Sequence, residues 1–163
     1  MLPLSRTFNV AKIAASCTAL DGAQVDVWHC DALGVYSDVS TENTVGKRYL
    51  RGYQVTDSNG KVTFSTIYPG WYQGRAVHIH FKVRTFVAGQ RTFEFTSQIF
   101  FNDAISDEVF KQTPYSSRGA RDTRNAVDMV YTSNNNSGAM LLANVTGSGG
   151  GYPATFGIGL RLA

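Results

Sequence analysis

His78-Ile79-His80-Phe81-Lys82-Val83-Arg84-Thr85-Phe86-Val87-Ala88-Gly89-Gln90-Arg91-Thr92-Phe93-Glu94-Phe95-Thr96-Ser97-Gln98-Ile99-Phe100-Phe101 is the stretch that decides the fold class. His78–Val87 and Arg91–Phe101 are the longest strand signals in the chain, rich in β-branched and aromatic residues, and Ala88-Gly89-Gln90 forms a turn between them. Upstream, Thr7–Ile13 alternates, and Asp21-Gly22 turns into a further strand over Ala23–Cys30. The turn residues Asp57-Ser58-Asn59-Gly60 separate Gly52–Thr56 from Lys61–Thr66, which predicts a hairpin. Downstream lie Ala139–Val145 and Tyr152–Leu162, separated by Gly147-Ser148-Gly149-Gly150-Gly151. Tyr152, Ala154, Phe156, Ile158, Leu160 and Leu162 share one face, the mark of a half-buried strand.

Helical signal is thin. Ile105–Lys111 is the best candidate, with Ser106 as its cap, and Pro114 stops it. Arg118–Asn125 reads as an ordered polar loop, and there are no internal repeats. The expected architecture is all-β: a two-layer β-sandwich with long loops and at most one or two short helices. The 163 residues are enough for one domain with its own core, taken as spanning 1–163.

Composition excludes several classes. Hydrophobic content of 43% and charged content of 17% describe an ordinary globular protein. The net charge of +3 is spread without a basic run, so nucleic acid is not expected as a partner. No segment approaches the roughly 20 apolar residues of a membrane-spanning helix. Cys17 and Cys30 are compatible with a disulfide in an oxidising compartment and equally with two buried thiols. Asn135-Asn136-Ser137 and Asn144-Val145-Thr146 fit the N-glycosylation pattern, and no secretory leader is visible at Met1.

The chemistry concentrates in Tyr68-Pro69-Gly70-Trp71-Tyr72-Gln73-Gly74-Arg75-Ala76-Val77-His78-Ile79-His80. Successive strand side chains point to opposite faces, so His78 and His80 share a face about 7 Å apart at the root. Two imidazoles so placed can converge on one metal ion, and they are two of only three histidines in the chain. Tyr72 lies in a Pro-Gly turn that can aim its phenol back at the strand, and Arg75 is a nearby cation suited to an anionic target. A phenol, whose ordinary pKa is about 10, ionises at neutral pH only against a strong Lewis acid such as Fe(III). A Tyr/His donor set therefore argues for ferric iron over zinc.

Val25-Asp26-Val27-Trp28-His29-Cys30-Asp31-Ala32-Leu33-Gly34-Val35-Tyr36-Ser37 resembles the signature of the intradiol ring-cleavage dioxygenases, in which a strand leads to a Gly-x-Tyr. Arg51–Asp57, Phe64–Tyr72, Gly74-Arg75, His78-Ile79-His80 and Ser97–Phe101 continue the match in order. Pro114-Tyr115 and Arg118–Asp128 resemble a loop of the family's compact, often secreted branch, and the likeness runs from about Pro3 to Leu162. The resemblance implies a non-haem ferric centre held by Tyr36, Tyr72, His78 and His80, with Tyr72 also catalytic and Arg75 and Gln98 beside the substrate. It implies cleavage of a catechol-type diol by O₂, between the two hydroxyl-bearing carbons, to a cis,cis-muconate-type product. His29 is assigned a supporting role, Asp31 and Trp28 support the loop carrying Tyr36, and Gln54 is a candidate neighbour of the site.

By the same likeness, the chain is expected to start almost directly on the first sandwich strand, without the family's usual N-terminal extension. Assembly is expected as monomer or homodimer, and location as extracellular, otherwise cytoplasmic. A rival reading is a metal-free β-sandwich binding module of related fold. A cupin-type oxygenase is less apt, because Phe81-Lys82-Val83-Arg84 stands where its glutamate would follow the histidines.

Overall fold

The computed structural model describes residues 1–14, 16–133, 137–147 and 150–162. In chain order the strands are β1 (Pro3–Ile13), β2 (Cys17–Ala19), β3 (Gln24–Trp28), β4 (Arg51–Val55), β5 (Lys61–Ile67), β6 (His78–Val87), β7 (Gln90–Phe100), β8 (Asn144–Val145) and β9 (Tyr152–Leu160). A short helix, α1 (Asp103–Val109), follows β7. One sheet runs β2-β1-β9-β8, with β5 also paired to β1, and the other runs β4-β3-β6-β7. The expected all-β sandwich is the observed fold.

The two sheets meet through alternate side chains. Leu4, Phe8 and Val10 of β1 and Phe156 and Ile158 of β9 are buried, as are Val25 of β3 and Ile79, Phe81 and Val83 of β6. Phe8 sits at the centre, with its ring centroid 5.5 Å from Phe81 in the opposite sheet and 6.0 Å from Phe64 in its own. Arg6 occupies a core-facing position of β1 and is 1% exposed. Its guanidinium lies over Phe8 and Phe156, and none of its three nitrogens has a hydrogen-bond partner among the described residues.

The β6–β7 hairpin closes through Ala88 and Gly89, both at positive φ, as a two-residue hairpin turn requires. The second expected hairpin does not form. The Asp57–Gly60 turn is present, with Asp57 Oδ1 accepting from Asn59 N and Lys61 N, but β4 pairs with β3 and β5 pairs with β1. The turn carries the chain from one sheet to the other. Turn chemistry is local, whereas the choice of pairing partner is set by which sheet buries each strand's apolar face.

Other boundaries also move. Asn102, not Ser106, caps α1: its side chain accepts from Ala104 N, while Ser106 is buried and hydrogen-bonded to Tyr68 Oη. Ser137–Leu141 is a 3₁₀ turn, leaving only Asn144–Val145 of the strand expected over Ala139–Val145. Cys17 is exposed and Cys30 buried, and both are free thiols, so the disulfide alternative is not realised. Of the two glycosylation triplets, Asn144-Val145-Thr146 is described, whereas Asn135 and Asn136 lie outside the described residues.

Strand register arranges the outer face of the second sheet in rows, because directly paired residues project to the same side. Arg51, Trp28, His80 and Gln98 form one row across β4, β3, β6 and β7. Tyr53, Asp26, Lys82 and Thr96 form the next. On this face, opposite the core, the candidate site residues His78, His80 and Gln98 lie.

Candidate metal centre

β6 presents His78 and His80 on the outer face while Ile79 and Phe81 between and after them enter the core. His78 Nδ1 lies 2.7 Å from Ala76 O. A carbonyl only accepts, so Nδ1 carries the proton and Nε2 presents a lone pair. That Nε2 is 3.1 Å from Tyr72 Oη and 3.1 Å from His80 Nε2. Trp28 stacks on the other side of His80, with centroids 4.9 Å apart and an interplanar angle of 3°.

Two loops bring the tyrosines to the histidines. Asp31 Oδ1 accepts from Leu33 N and Val35 N, folding the loop after β3. Tyr36 is then held through its own backbone, its N–H donating to Glu42 Oε2 and its carbonyl accepting from Thr44 Oγ1. Gly70, in the loop before Tyr72, allows the two loops to touch: a Cβ there would stand 2.5 Å from Asp31 O. The Tyr36 ring ends 5.5 Å from that of Tyr72 and 6.1 Å from that of His80. Its Oη is buried with no hydrogen-bond partner among the described residues.

The protonation states follow from burial. Desolvation, followed by the neighbouring His80, lowers the His78 pKa to about 3. Desolvation, followed by Arg75, lowers that of His80 to about 4, so both rings are neutral near pH 7. Burial pushes the Tyr36 and Tyr72 phenols above their ordinary value, so without a counter-cation both stay protonated. Among the described residues no group of three His, Cys, Asp or Glu side chains converges, so a metal here must be held by the tyrosines as well. Two imidazole lone pairs and two phenols, one of them unpartnered, can hold one metal ion. To ionise both phenols, that ion must be strongly Lewis-acidic.

Arg75 flanks this cluster. Its Nε donates to Asp128 Oδ2 at 2.8 Å and its Nη2 to Gln98 Oε1 at 2.5 Å, Gln98 being the register partner of His80. Asp128 is fully buried and also accepts from Ala76 N, Val130 N and Tyr131 N. Burial alone would raise its pKa, but the bonds from Arg75 and the backbone outweigh burial and hold it below the usual carboxylate range. No role for Asp128 is legible in the sequence, since it is 53 residues from Arg75 and lies in a loop without periodic pattern.

The remaining candidates separate. His29 lies away from the cluster, with Nδ1 donating to Cys30 O and Nε2 accepting from Thr66 Oγ1. Gln54 bonds Thr63 O between β4 and β5 and takes no part in the cluster, because it faces the first sheet. Asp31 folds the Tyr36 loop, whereas Trp28 covers His80.

Comparison with known proteins identifies the lineage. Residues 11–142 match the family model described as "Dioxygenase". The chain belongs to the intradiol ring-cleavage dioxygenases. An intradiol ring-cleavage dioxygenase from Tetranychus urticae superposes with a TM-score of 0.85 at 28% identity, covering 98% of this chain and 81% of that one. The dioxygenase domain of a carbohydrate-binding fusion from Streptomyces superposes with a TM-score of 0.67 at 27% identity, covering 99% and 81%. Chlorocatechol 1,2-dioxygenase of Pseudomonas putida is 35% identical over a stretch covering 40% of this chain and 31% of its own length. This intradiol dioxygenase chain thus matches less than a third of that curated relative.

Proposed function

We propose that this chain is a non-haem Fe(III)-dependent intradiol dioxygenase that cleaves catechol-type diols with O₂ to cis,cis-muconate-type products. The observation that carries this reading is the meeting of Tyr72 Oη, His78 Nε2 and His80 Nε2 around one point, beside the buried, unpartnered Tyr36 Oη. Tyr36, Tyr72, His78 and His80 would hold the iron. When bound, the ferric ion supplies the Lewis acidity that ionises phenol and diol and the electronic coupling that lets the diol ring react with O₂.

The chain's own residues have distinct tasks. Ala76 O fixes the His78 tautomer and keeps its Nε2 aimed inward. Held as a phenolate while the iron is bound, Tyr72 Oη would readily take a proton from an incoming diol, because its burial favours the neutral phenol. Arg75 is locked by Asp128 and Gln98, and it offers a fixed positive charge to negative charge developing on the substrate without reorganising during the reaction. Trp28 shields one face of His80 from water. Both oxygen atoms of O₂ end in the diacid, so the balance needs no external reductant.

Oxygen uptake with catechol by iron-loaded protein, with a near-ultraviolet muconate product, tests this reading. A yellow semialdehyde product would indicate cleavage outside the diol and overturn it.

A further inference from the structure

The loop that carries Tyr72 lies outside both sheets, and a second segment, Tyr115–Asp128, runs alongside it. Four side chains of that segment bond to the loop in step along its length. The buried Tyr115 donates from Oη to Tyr68 O at 2.8 Å. Arg118 Nε donates to Trp71 O at 2.8 Å, and its guanidinium lies 4.9 Å from the centre of the Trp71 ring. Both carboxylate oxygens of Asp122 accept from Gly74 N, at 3.2 and 3.1 Å. Asp128 completes the series on Arg75 Nε and Ala76 N.

Trp71 and Gly74 bracket Tyr72, so Arg118 and Asp122 fix the chain on either side of the phenol. The loop has little backbone pairing of its own to do this: within it, Arg75 N reaches Tyr72 O at 3.3 Å. The two contacts have opposite polarity, a cation on a carbonyl and a carboxylate on an N–H, so each side chain suits its own end of the loop. Asp122 is itself oriented, its Oδ1 accepting from Thr123 Oγ1 at 2.9 Å. Arg118 also meets the loop carrying Tyr36. Gly34, at a φ of 82°, lies so close that a Cβ there would collide with Trp71 O and stand 3.1 Å from Arg118 Nε. Arg118 thus stands where the two phenol-bearing loops touch, and both it and Asp122 are exposed, away from the core.

We infer that Arg118 and Asp122 are positioning residues for Tyr72, holding its loop so that the phenol meets His78 Nε2. The inference rests on the reading of Tyr72 as an iron ligand and deepens it by naming what places the phenol. Such geometry is sensitive, since a misplacement on the order of 1 Å can cost about a hundredfold in rate. A hydrogen bond to a charged group is worth about tenfold or more when buried and less when exposed to water, so the two clamps together are expected to be worth about tenfold in iron affinity.

The test is a double-mutant cycle on Fe(III) affinity, measured by competition with a chelator, with the visible phenolate absorption of the iron-loaded protein as a second readout. Arg118→Met combined with Asp122→Ala is expected to weaken iron binding about tenfold and to shift the absorption, while the urea midpoint of the metal-free protein changes little, as at other exposed positions. On a Tyr72→Phe background the same two changes are expected to alter iron affinity by less than about twofold, because the group they place is gone. Should the combined variant fail to fold, Arg118→Met alone carries the same comparison. Unchanged affinity and absorption, or an equal loss with and without the Tyr72 hydroxyl, overturns the inference while leaving ring cleavage standing. If the wild type takes up Fe(III) without phenolate absorption, or takes up none, the ligand reading falls and the positioning role with it.

Discussion

Arg75 and Asp128, 53 residues apart, are joined by a 2.8 Å bond from Nε to Oδ2, and the carboxylate is wholly buried. The same carboxylate accepts from the backbone of Ala76, Val130 and Tyr131, so one side chain ties the entry of β6 to a distant loop. Removing one partner of a buried pair leaves the other charge uncompensated. Asp128→Asn should therefore destabilise the fold by roughly 3 kcal/mol in urea titration and lower kcat more than it raises KM, because Arg75 loses its orientation. Unchanged stability and kcat would show that Arg75 is positioned by Gln98 alone.

Tyr36→Phe should have opposite effects on the metal-free and iron-loaded protein. The buried phenol oxygen has no partner, so deleting it should leave the metal-free protein unaffected or stabilise it by about 1 kcal/mol. In the presence of Fe(III), the variant should bind iron more weakly and shift the visible phenolate absorption. A variant that retains both iron affinity and spectrum would remove Tyr36 from the centre.

His29 predicts an acid-sensitive component of stability. Its pKa in the fold is lowered to about 4, chiefly by burial, against about 6.5 for an exposed ring. The unfolded chain therefore takes up a proton first as pH falls. This contribution to stability is intact above about pH 6.5 and is lost progressively towards pH 4, by a total on the order of 3 kcal/mol. Chemical denaturation of wild type and His29→Gln at several pH values should give a flatter profile for the variant. Parallel profiles would exclude His29 as the source.

Gly70→Ala tests the approach of the two tyrosine-bearing loops. The added Cβ would stand 2.5 Å from Asp31 O and 2.6 Å from Ala32 O, both backbone atoms that cannot rotate away. A loss of about 1–3 kcal/mol is expected by thermal or urea unfolding, with weaker iron binding because the loop carrying Tyr72 is displaced. Full iron affinity in a stable variant would show that the loops have room to separate.

Much of the candidate centre is legible along the chain. His78 and His80 share a face because the strand pleat has period two, and Tyr72 precedes them by only a turn. Tyr36, far away in sequence, was placed with them by resemblance to a family motif and not by any local pattern. The failures share a cause. The Asp57–Gly60 turn is legible locally, but its two flanking strands pair in different sheets, a choice made by β1 and β3. The reach of Asp128 to Arg75 leaves no periodic trace for the same reason.

The amino-acid order alone determined the strand-rich class, the paired imidazoles and the turn that carries a phenol to them, because each depends on side-chain alternation and turn geometry within about a dozen residues. Tertiary structure alone decided which sheet each strand joined, which acid holds Arg75, and that the Tyr36 loop reaches the histidines. Those features depend on strand register and on loops meeting across the sheet face, where partners are selected by burial and charge and not by nearness along the chain.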